Sequence, residues 1–431
     1  MGSVPLALPV LRHLQEALAE PVAHISTRLT VHQVVEENQM FWLGWIVFAL
    51  VALSTIPAII ALALKKLLPH EPGVRAADSV ANDKVAQIPL PKISVIVPAR
   101  NEEAQIRKGL TTLLRSTGVD LEIIAVDDRS TDSTGRVMDE VAATDARLKV
   151  IHITELPEGW LGKNHAMHVA SEKATGGLLL FTDGDIIYEP PAIEIAVRHF
   201  IRQNLQHLCL LPRMLPGSVF ENAVVAFFGL AFAIGMQLHL IRTRWPLSYA
   251  GVGAFNLVET QFYRSIGGHN PIAMDILDDV KLGKLIKKNG GTIDFQMAQK
   301  LLSVRWQPSL WGVVTGLEKN GFASLNYSVR QLLIVTLIFL LTMVFPYVAP
   351  FVMSLHAASG FVATAILWHL VFAFVVFRTP GGLLLTPLFP VGAWLMAFAY
   401  WRSAVITLRQ GGVRWRDSFY PLAQLRKRLY Y

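Results

Sequence analysis

The sequence predicts an α/β domain with a mainly parallel sheet, flanked by transmembrane α-helices. Three observations predict it. Short strand-like apolar runs alternate with amphipathic stretches between residues 92 and 330. Uncharged stretches long enough to cross a bilayer lie on both sides of that region. The chain as a whole is 52% hydrophobic and 16% charged, with a mean hydropathy of +0.42, too apolar for 431 residues that fold entirely in water.

In chain order, residues 1–40 form an N-terminal segment, followed by residues 41–64, FWLGWIVFALVALSTIPAIIALAL, which carry no charge. At ~1.5 Å per residue a helix of this length spans a hydrocarbon core of ~30 Å. It begins too far from Met1, and runs too long, for a cleaved signal peptide. Among Lys and Arg, the twenty positions before Phe41 hold only Arg28, whereas Lys65, Lys66, Arg75 and Lys84 follow Leu64. The positive-inside rule therefore places the following domain in the cytoplasm, and the chain is expected in the plasma (inner) membrane as a multi-pass protein. Residues 65–91, rich in Pro, Ala and polar side chains, read as a linker.

The domain at residues 92–330 opens with ISVIV from Ile93, a buried strand, then a helical stretch over 102–116 with Ile106, Leu110, Leu113 and Leu114 on one side. Strands are expected at 121–126, 148–153 and 177–182, with helices at 132–144 and 163–174 between them. Such alternation builds an open, mainly parallel sheet with right-handed crossovers, whose ligands bind beyond the carboxyl ends of the strands. The polar residues fall at that edge: Pro98-Ala99-Arg100-Asn101-Glu102 after the first strand, Asp127-Asp128-Arg129-Ser130 after the second, and Asp183-Gly184-Asp185 after the fourth. Two carboxylates one residue apart repel each other, and burying either without a partner is costly. Oxygen donors on loops, with no Cys or His cluster nearby, suit a hard divalent cation, Mg or Mn, that in turn holds a diphosphate. Neither a Walker loop nor G-x-G-x-x-G occurs, which excludes a P-loop kinase or dinucleotide enzyme.

Asp278 and Asp279 start a helix with Leu282, Leu285 and Ile286 at helical spacing and basic residues in its last turn. The apolar stretch near 223–241 is expected to lie in the membrane interface, because a single crossing there would separate Asp279 from Asp185. Residues 331–401 hold further apolar membrane segments, and residues 402–431 a basic tail: seven basic residues from Arg402 to Arg428 stand against the single acid Asp417. Three full spans would leave that tail outside, against the positive-inside rule. The segment 379–401, crowded with Pro380, Gly381, Gly382, Pro387 and Pro390, is therefore expected to enter the membrane and turn back. The net charge of +7 reads as a membrane-surface feature, and no aromatic or zinc pattern points to nucleic acid. The single Cys209 rules out an intramolecular disulfide.

SVIVPARNEE at 94–103, AVDDRSTDST at 125–134, FTDGD at 181–185 and DILDDVKLGKLIKKNGG at 275–291, in this order, resemble the family 2 glycosyltransferases of the GT-A fold, a Rossmann-like nucleotide-sugar domain. LPEGWLGKNHA at 156–166, GGH at 267–269 and EKNGFASL at 318–325 are most similar to the membrane subgroup of hopanoid-associated, carotenoid-acid and ceramide glycosyltransferases. The resemblance implies an inverting enzyme that moves a sugar from a nucleotide diphosphate sugar to a lipid or isoprenoid-type acceptor. It implies Asp279 as catalytic base with Asp278 as its companion. Pro98, Arg100, Glu102, Asp127 or Asp128, Lys163 and Asp183 would bind the donor, and Asp183 and Asp185 the metal. Arg305 and Trp306 would line the acceptor site. The polymer-forming members carry Q-x-x-R-W, whereas LLSVRWQ here places Leu302 at the Gln position. That weakens the alternative of a polysaccharide synthase. The presence of both Asp185 and Asp279 weakens that of a non-catalytic membrane scaffold.

Overall fold

The computed structural model describes residues 8–64 and 89–430, apart from Pro308, Arg378 and Pro380. The expected linker lies outside the described residues as far as residue 88. The chain divides into two compact units: one takes the N-terminal helix as far as Leu53 together with Thr336–Leu370, and the other takes Ser54–Val335 and the chain from Val371 onward. The N-terminal helix, α1 (Leu8–Leu64), is longer than the apolar stretch alone predicts.

In the second unit β1 (Ile93–Ala99), α2 (Ile106–Leu114), β2 (Leu121–Asp128), α3 (Thr134–Ala142), β3 (Leu148–Ile153), α4 (Gly162–Lys173) and β4 (Leu178–Phe181) alternate as expected. β1 and β4 are buried along their whole length, the mark of strands covered on both faces. Val95 and Val97 share a core with Ile106 and Leu110 of α2, while Ile96 shares the opposite one with Ala166 and Ala170 of α4. Helix α2 begins at Ile106 rather than Glu102. The backbone N–H groups of Glu102 and Glu103 instead donate to Thr134 Oγ1 (2.7 Å) and Asp132 Oδ2 (3.3 Å), tying the turn after β1 to the loop after β2.

β5 (Ile187–Tyr188), α5 (Ala192–Arg202), β6 (His207–Leu211), β7 (Arg213–Met214), α6 (Val219–Gly235), β8 (Asn256–Glu259), α7 (Thr260–Ser265), α8 (Asp278–Lys288), β9 (Ile293–Met297), β10 (Leu302–Val304) and α9 (Leu310–Ser324) complete the domain. The seven-stranded sheet has the order β3-β2-β1-β4-β8-β6-β9. β1 pairs in parallel with β2 on one side and β4 on the other, and β8 runs antiparallel to both its neighbours. The strand order reverses at β1, which makes its carboxyl end the switch point where such sheets take ligands. A smaller sheet, β5-β10-β7, buries Leu302 opposite Tyr188.

After α9 come α10 (Val329–Phe339), a π-helical turn (Leu340–Val344), α11 (Phe345–Val352) and α12 (Leu355–Val376). Within the first unit, Trp368 Nε1 donates to the carbonyl of Thr342 (3.0 Å), satisfying an acceptor in the widened turn. There α1 and α12 meet at glycines: a Cβ on Gly360 would lie 2.3 Å from the backbone of Gly44, so only small residues permit the crossing. Among the described residues four helices are long and apolar enough to cross a membrane, at Gln33–Ala61, Val329–Val352, Leu355–Val376 and Gly382–Gln410; α6 is shorter.

The Pro- and Gly-rich stretch does not turn the chain back. Gly381 (φ 99°) and Gly382 (φ 53°) form a corner leading through a 3-10 turn, Gly382–Leu388, into one unbroken helix, α13 (Phe389–Gln410). Pro390 stands in its first turn, where the missing N–H costs nothing. α13 lies against α6 and α9: the Phe227 and Phe389 rings are 5.5 Å apart, and Phe322 N donates to Ser403 Oγ at 2.8 Å. Beyond it the basic segment folds into a hairpin, β11 (Gly412–Trp415) and β12 (Ser418–Pro421), and a short helix, α14 (Leu422–Lys427).

Candidate functional site

A cleft of about 190 Å³ lies at the switch-point edge of the sheet. The turn after β1 lines it with Pro98, Arg100 and Glu102; the end of β2 supplies Asp128; the start of α4 supplies Gly162 and Lys163; and the loop after β4 supplies Asp183 and Asp185. A smaller cavity of about 10 Å³ shares Pro98, Lys163 and Asp183 with it and is lined as well by Asp278 and Asp279 from the start of α8.

Lys163 joins the two groups of carboxylates. Its Nζ lies 2.8 Å from Asp183 Oδ1 and 3.2 Å from Asp278 Oδ2. Burial works against the ammonium, but the charges of Asp183, Asp278 and Asp279 outweigh it and hold Lys163 well above its ordinary range. Burial would likewise raise Asp183, yet Lys163 brings its carboxyl below the usual value. Asp185 has no such partner among the described residues: burial, reinforced by the charge of Asp183, pushes it up to about 6. Burial pushes Glu102 up to about 7, with Asp183 and Asp185 adding to the rise and Arg416 opposing it.

Asp279 is fixed by backbone donors: Gly253 N reaches its Oδ2 at 2.8 Å and Val280 N its Oδ1 at 2.7 Å. Burial and the neighbouring Asp278 lift its carboxyl to about 6 against the pull of Lys163. Asp279 can therefore accept a proton near neutral pH, while Asp278 is engaged with Lys163.

Among the described residues no three His, Cys, Asp or Glu side chains are gathered as a ready cation site. Asp183 and Asp185 nonetheless bring only oxygen donors to the cleft, and Glu102 Oε2 is buried there without a hydrogen-bond partner among the described residues. The carboxyls of Asp185 and Glu102, raised by burial and by the charge of Asp183, and the orphaned Glu102 oxygen fit a hard divalent cation.

Other expected residues stand elsewhere. Asp127 is turned from the cleft, its Oδ1 accepting from Ser130 N (3.1 Å) and its Oδ2 facing His152 Nδ1 (3.1 Å), so of the Asp127–Asp128 pair it is Asp128 that lines the pocket. Asp128 is held by Arg129 Nε at 2.8 Å. Arg305 pairs with Glu221 at the start of α6 (2.8 Å) and donates to Leu215 O (3.0 Å), and the Trp306 ring lies 4.9 Å from Phe228. Both brace α6, and neither lines the cleft.

Sequence reasoning missed Lys319, Trp415, Arg416, Ser418 and Tyr420, all of which line the cleft. The hairpin folds over its rim. Arg416 Nη2 meets Glu102 Oε1 at 2.6 Å, Arg416 Nη1 donates to Asn101 O (3.1 Å), Asn101 Nδ2 donates to Asp417 Oδ2 (3.1 Å), and Gly162 N donates to the Tyr420 hydroxyl (3.3 Å). Arg416 holds φ 53°, a left-handed conformation that costs a non-glycine residue roughly 1–2 kcal/mol. A signal was present: VRWRDSFY reads as two β-rich runs around a two-residue turn.

Residues 94–248 match the family described as glycosyl transferase family 2. The match stops before Asp278, so the proposed base lies outside it. The 4,4'-diaponeurosporenoate glycosyltransferase of Staphylococcus haemolyticus (strain JCSC1435) is 27% identical over 200 residues, covering 46% of this chain and 52% of that protein. Its counterpart in Staphylococcus aureus (strain USA300) is 26% identical over 193 residues, covering 44% and 50%. The chain thus spans about half the length of these relatives. The solved structure of mannosyltransferase PcManGT from Pyrobaculum calidifontis, in complex with GDP-Man and Mn2+, superposes with a TM-score of 0.50 at 18% identity, covering 86% of this chain and 98% of that one. It shares the fold.

Proposed function

We propose that the family 2 domain transfers a sugar, with inversion, from a nucleoside diphosphate sugar to a lipid or isoprenoid-type acceptor at the membrane. The observation that carries this reading is the division of carboxylates at one sheet edge: Asp183 and Asp185 face the larger cleft, while Asp279 is half-buried at the smaller cavity next to it with a carboxyl raised to about 6. The acceptor oxygen attacks C1 of the sugar and its proton passes to Asp279. The bond from C1 to the diphosphate oxygen breaks, and its electron pair stays on the diphosphate. A bound Mg or Mn, held by Asp183 and Asp185, would neutralise charge on the leaving diphosphate. Pro98, Arg100, Glu102 and Asp128 hold the nucleoside end, and Lys163 stands between donor and base. Relatives named for glycosylating 4,4'-diaponeurosporenoate support an apolar acceptor, and the Mn2+ and GDP-Man of the mannosyltransferase support a divalent cation and a nucleotide-linked donor. Exposed Trp311, Leu384, Trp394 and Phe398 on α9, α13 and the corner before it support contact with lipid.

Nucleoside diphosphate release from UDP- and GDP-linked sugars, measured on the full chain in detergent with and without a membrane lipid extract, tests the reading. Release that depends on the extract is expected. No release from any donor, with Mg or Mn present, would refute it.

A further inference from the structure

We propose that Lys319 of α9 and Arg416 of the C-terminal hairpin form the clamp for the donor's diphosphate, so that the segment after the last apolar helix supplies part of the binding site. The inference deepens the glycosyltransferase reading and rests on it.

The cations of the cleft differ in what already holds them. Lys163 is engaged by Asp183 and Asp278, and Arg100 donates to Ser418 Oγ (3.4 Å) and lies 3.5 Å from Asp417 Oδ2. Arg416 rests on Glu102 alone among the carboxylates of the cleft. Lys319 makes no salt bridge among the described residues; its Nζ sits 3.9 Å from the centre of the Trp415 ring, one residue before Arg416. A half-buried ammonium over an aromatic face, at the wall of a cleft rich in carboxylates, is a cation kept for an anion that arrives with the ligand.

Its placement is built from both sides. Glu318 is bound by Arg402 of α13, which fixes the turn of α9 that presents Lys319. Trp415 is held in register by its pairing with Ser418 across the hairpin. Arg416 occupies the turn in a left-handed conformation that glycine or asparagine would adopt at less cost, and its guanidinium reaches into the cleft. A planar fork and a point charge lining one pocket suit the several oxygens of a diphosphate better than a single phosphate. When the C1–oxygen bond breaks, the charge that grows on the departing diphosphate falls between these two cations.

The test is calorimetric titration of the full chain in detergent micelles with Mn2+, using UDP and GDP against UMP and GMP. The wild type is expected to prefer the diphosphate, and Lys319→Gln and Arg416→Gln each to lose about tenfold or more in diphosphate affinity. Monophosphate binding, which also reports that the variants are folded, should stay within about twofold, and Lys319→Arg should keep the diphosphate preference. Unchanged diphosphate affinity in both Gln variants, or equal loss for mono- and diphosphates, would overturn the clamp and leave the glycosyltransferase reading standing. A wild type that binds no nucleoside diphosphate overturns both.

Discussion

Asp279 and Asp185 have similarly raised carboxyls, each lifted by burial and by an acidic neighbour, and it is what else holds them that supports separate roles in the proposed reaction. Asp279 is lifted by burial and then by Asp278, with two backbone N–H groups holding both its oxygens; a base so placed works only when ionised. Turnover is therefore expected to fall as pH drops through about 6, because protonation removes the proton acceptor, and kcat measured between about pH 5 and 8 checks this. Asp185 is lifted by burial and by Asp183, so protons and a metal ion compete for it. Mn2+ affinity should weaken as pH falls below about 6, and Asp185→Asn should lower donor affinity, whereas Asp279→Asn should abolish turnover with donor binding nearly intact. Equal loss of donor affinity in both variants, measured by calorimetry, would refute the separation.

At the scale of elements, α8 aims Asp279 by packing tightly on the loop before β8. A Cβ added to Gly283 would come 1.9 Å from the carbonyl oxygen of Ala250, so Gly283→Ala must push the helix away from that loop. A stability loss of roughly 1–3 kcal/mol is expected by analogy with overpacked cores, together with a fall in kcat larger than any change in donor affinity. Thermal unfolding and steady-state kinetics read the two effects separately. The first half of the sheet was legible because each strand is a continuous apolar run and each helix a periodic one, as with Leu178–Phe181 followed by Asp183. The second half was not: β8 has only four residues and runs antiparallel, and nothing within Asn256–Glu259 tells a strand which way to run. The hairpin was missed for another reason. The sequence reads the arginines of the C-terminal segment as a sum of charge at a membrane surface, but Arg426 of α14 donates to Tyr327 O (2.7 Å) and Arg428 just after it to Gly159 O (3.1 Å), so they fasten the segment to the domain.

For the whole molecule, the place of that segment bears on how the chain threads the membrane. The cleft and the hairpin belong to one unit and form one pocket, so both must lie on the same side of the bilayer. An even number of crossings is then expected between Arg330 and Arg402. The candidate spans Val329–Val352 and Leu355–Val376 would provide two, and α13, although apolar enough to span, is expected to lie along the interface with α6 and α9. The same conclusion follows from the seven basic residues of the segment, although the turn-back that the sequence led one to expect is replaced by a corner and a straight helix. Cysteine placed at the exposed Gln410 in a Cys209→Ser background, probed with an impermeant thiol reagent on intact cells, should stay unlabelled until the membrane is opened. Ready labelling from outside would make α13 a third crossing.

The hairpin also sets an order of events during biosynthesis. A ribosome delivers the N-terminal apolar helix and the sheet first, then the remaining apolar helices, and only then the arginine that reaches Glu102. Until the translation machinery has released every membrane segment, the nascent protein has an open, unfinished pocket. On the proposed function, transfer would begin only once the hairpin has closed that pocket, and a chain clipped just after Gln410 would be inserted but idle.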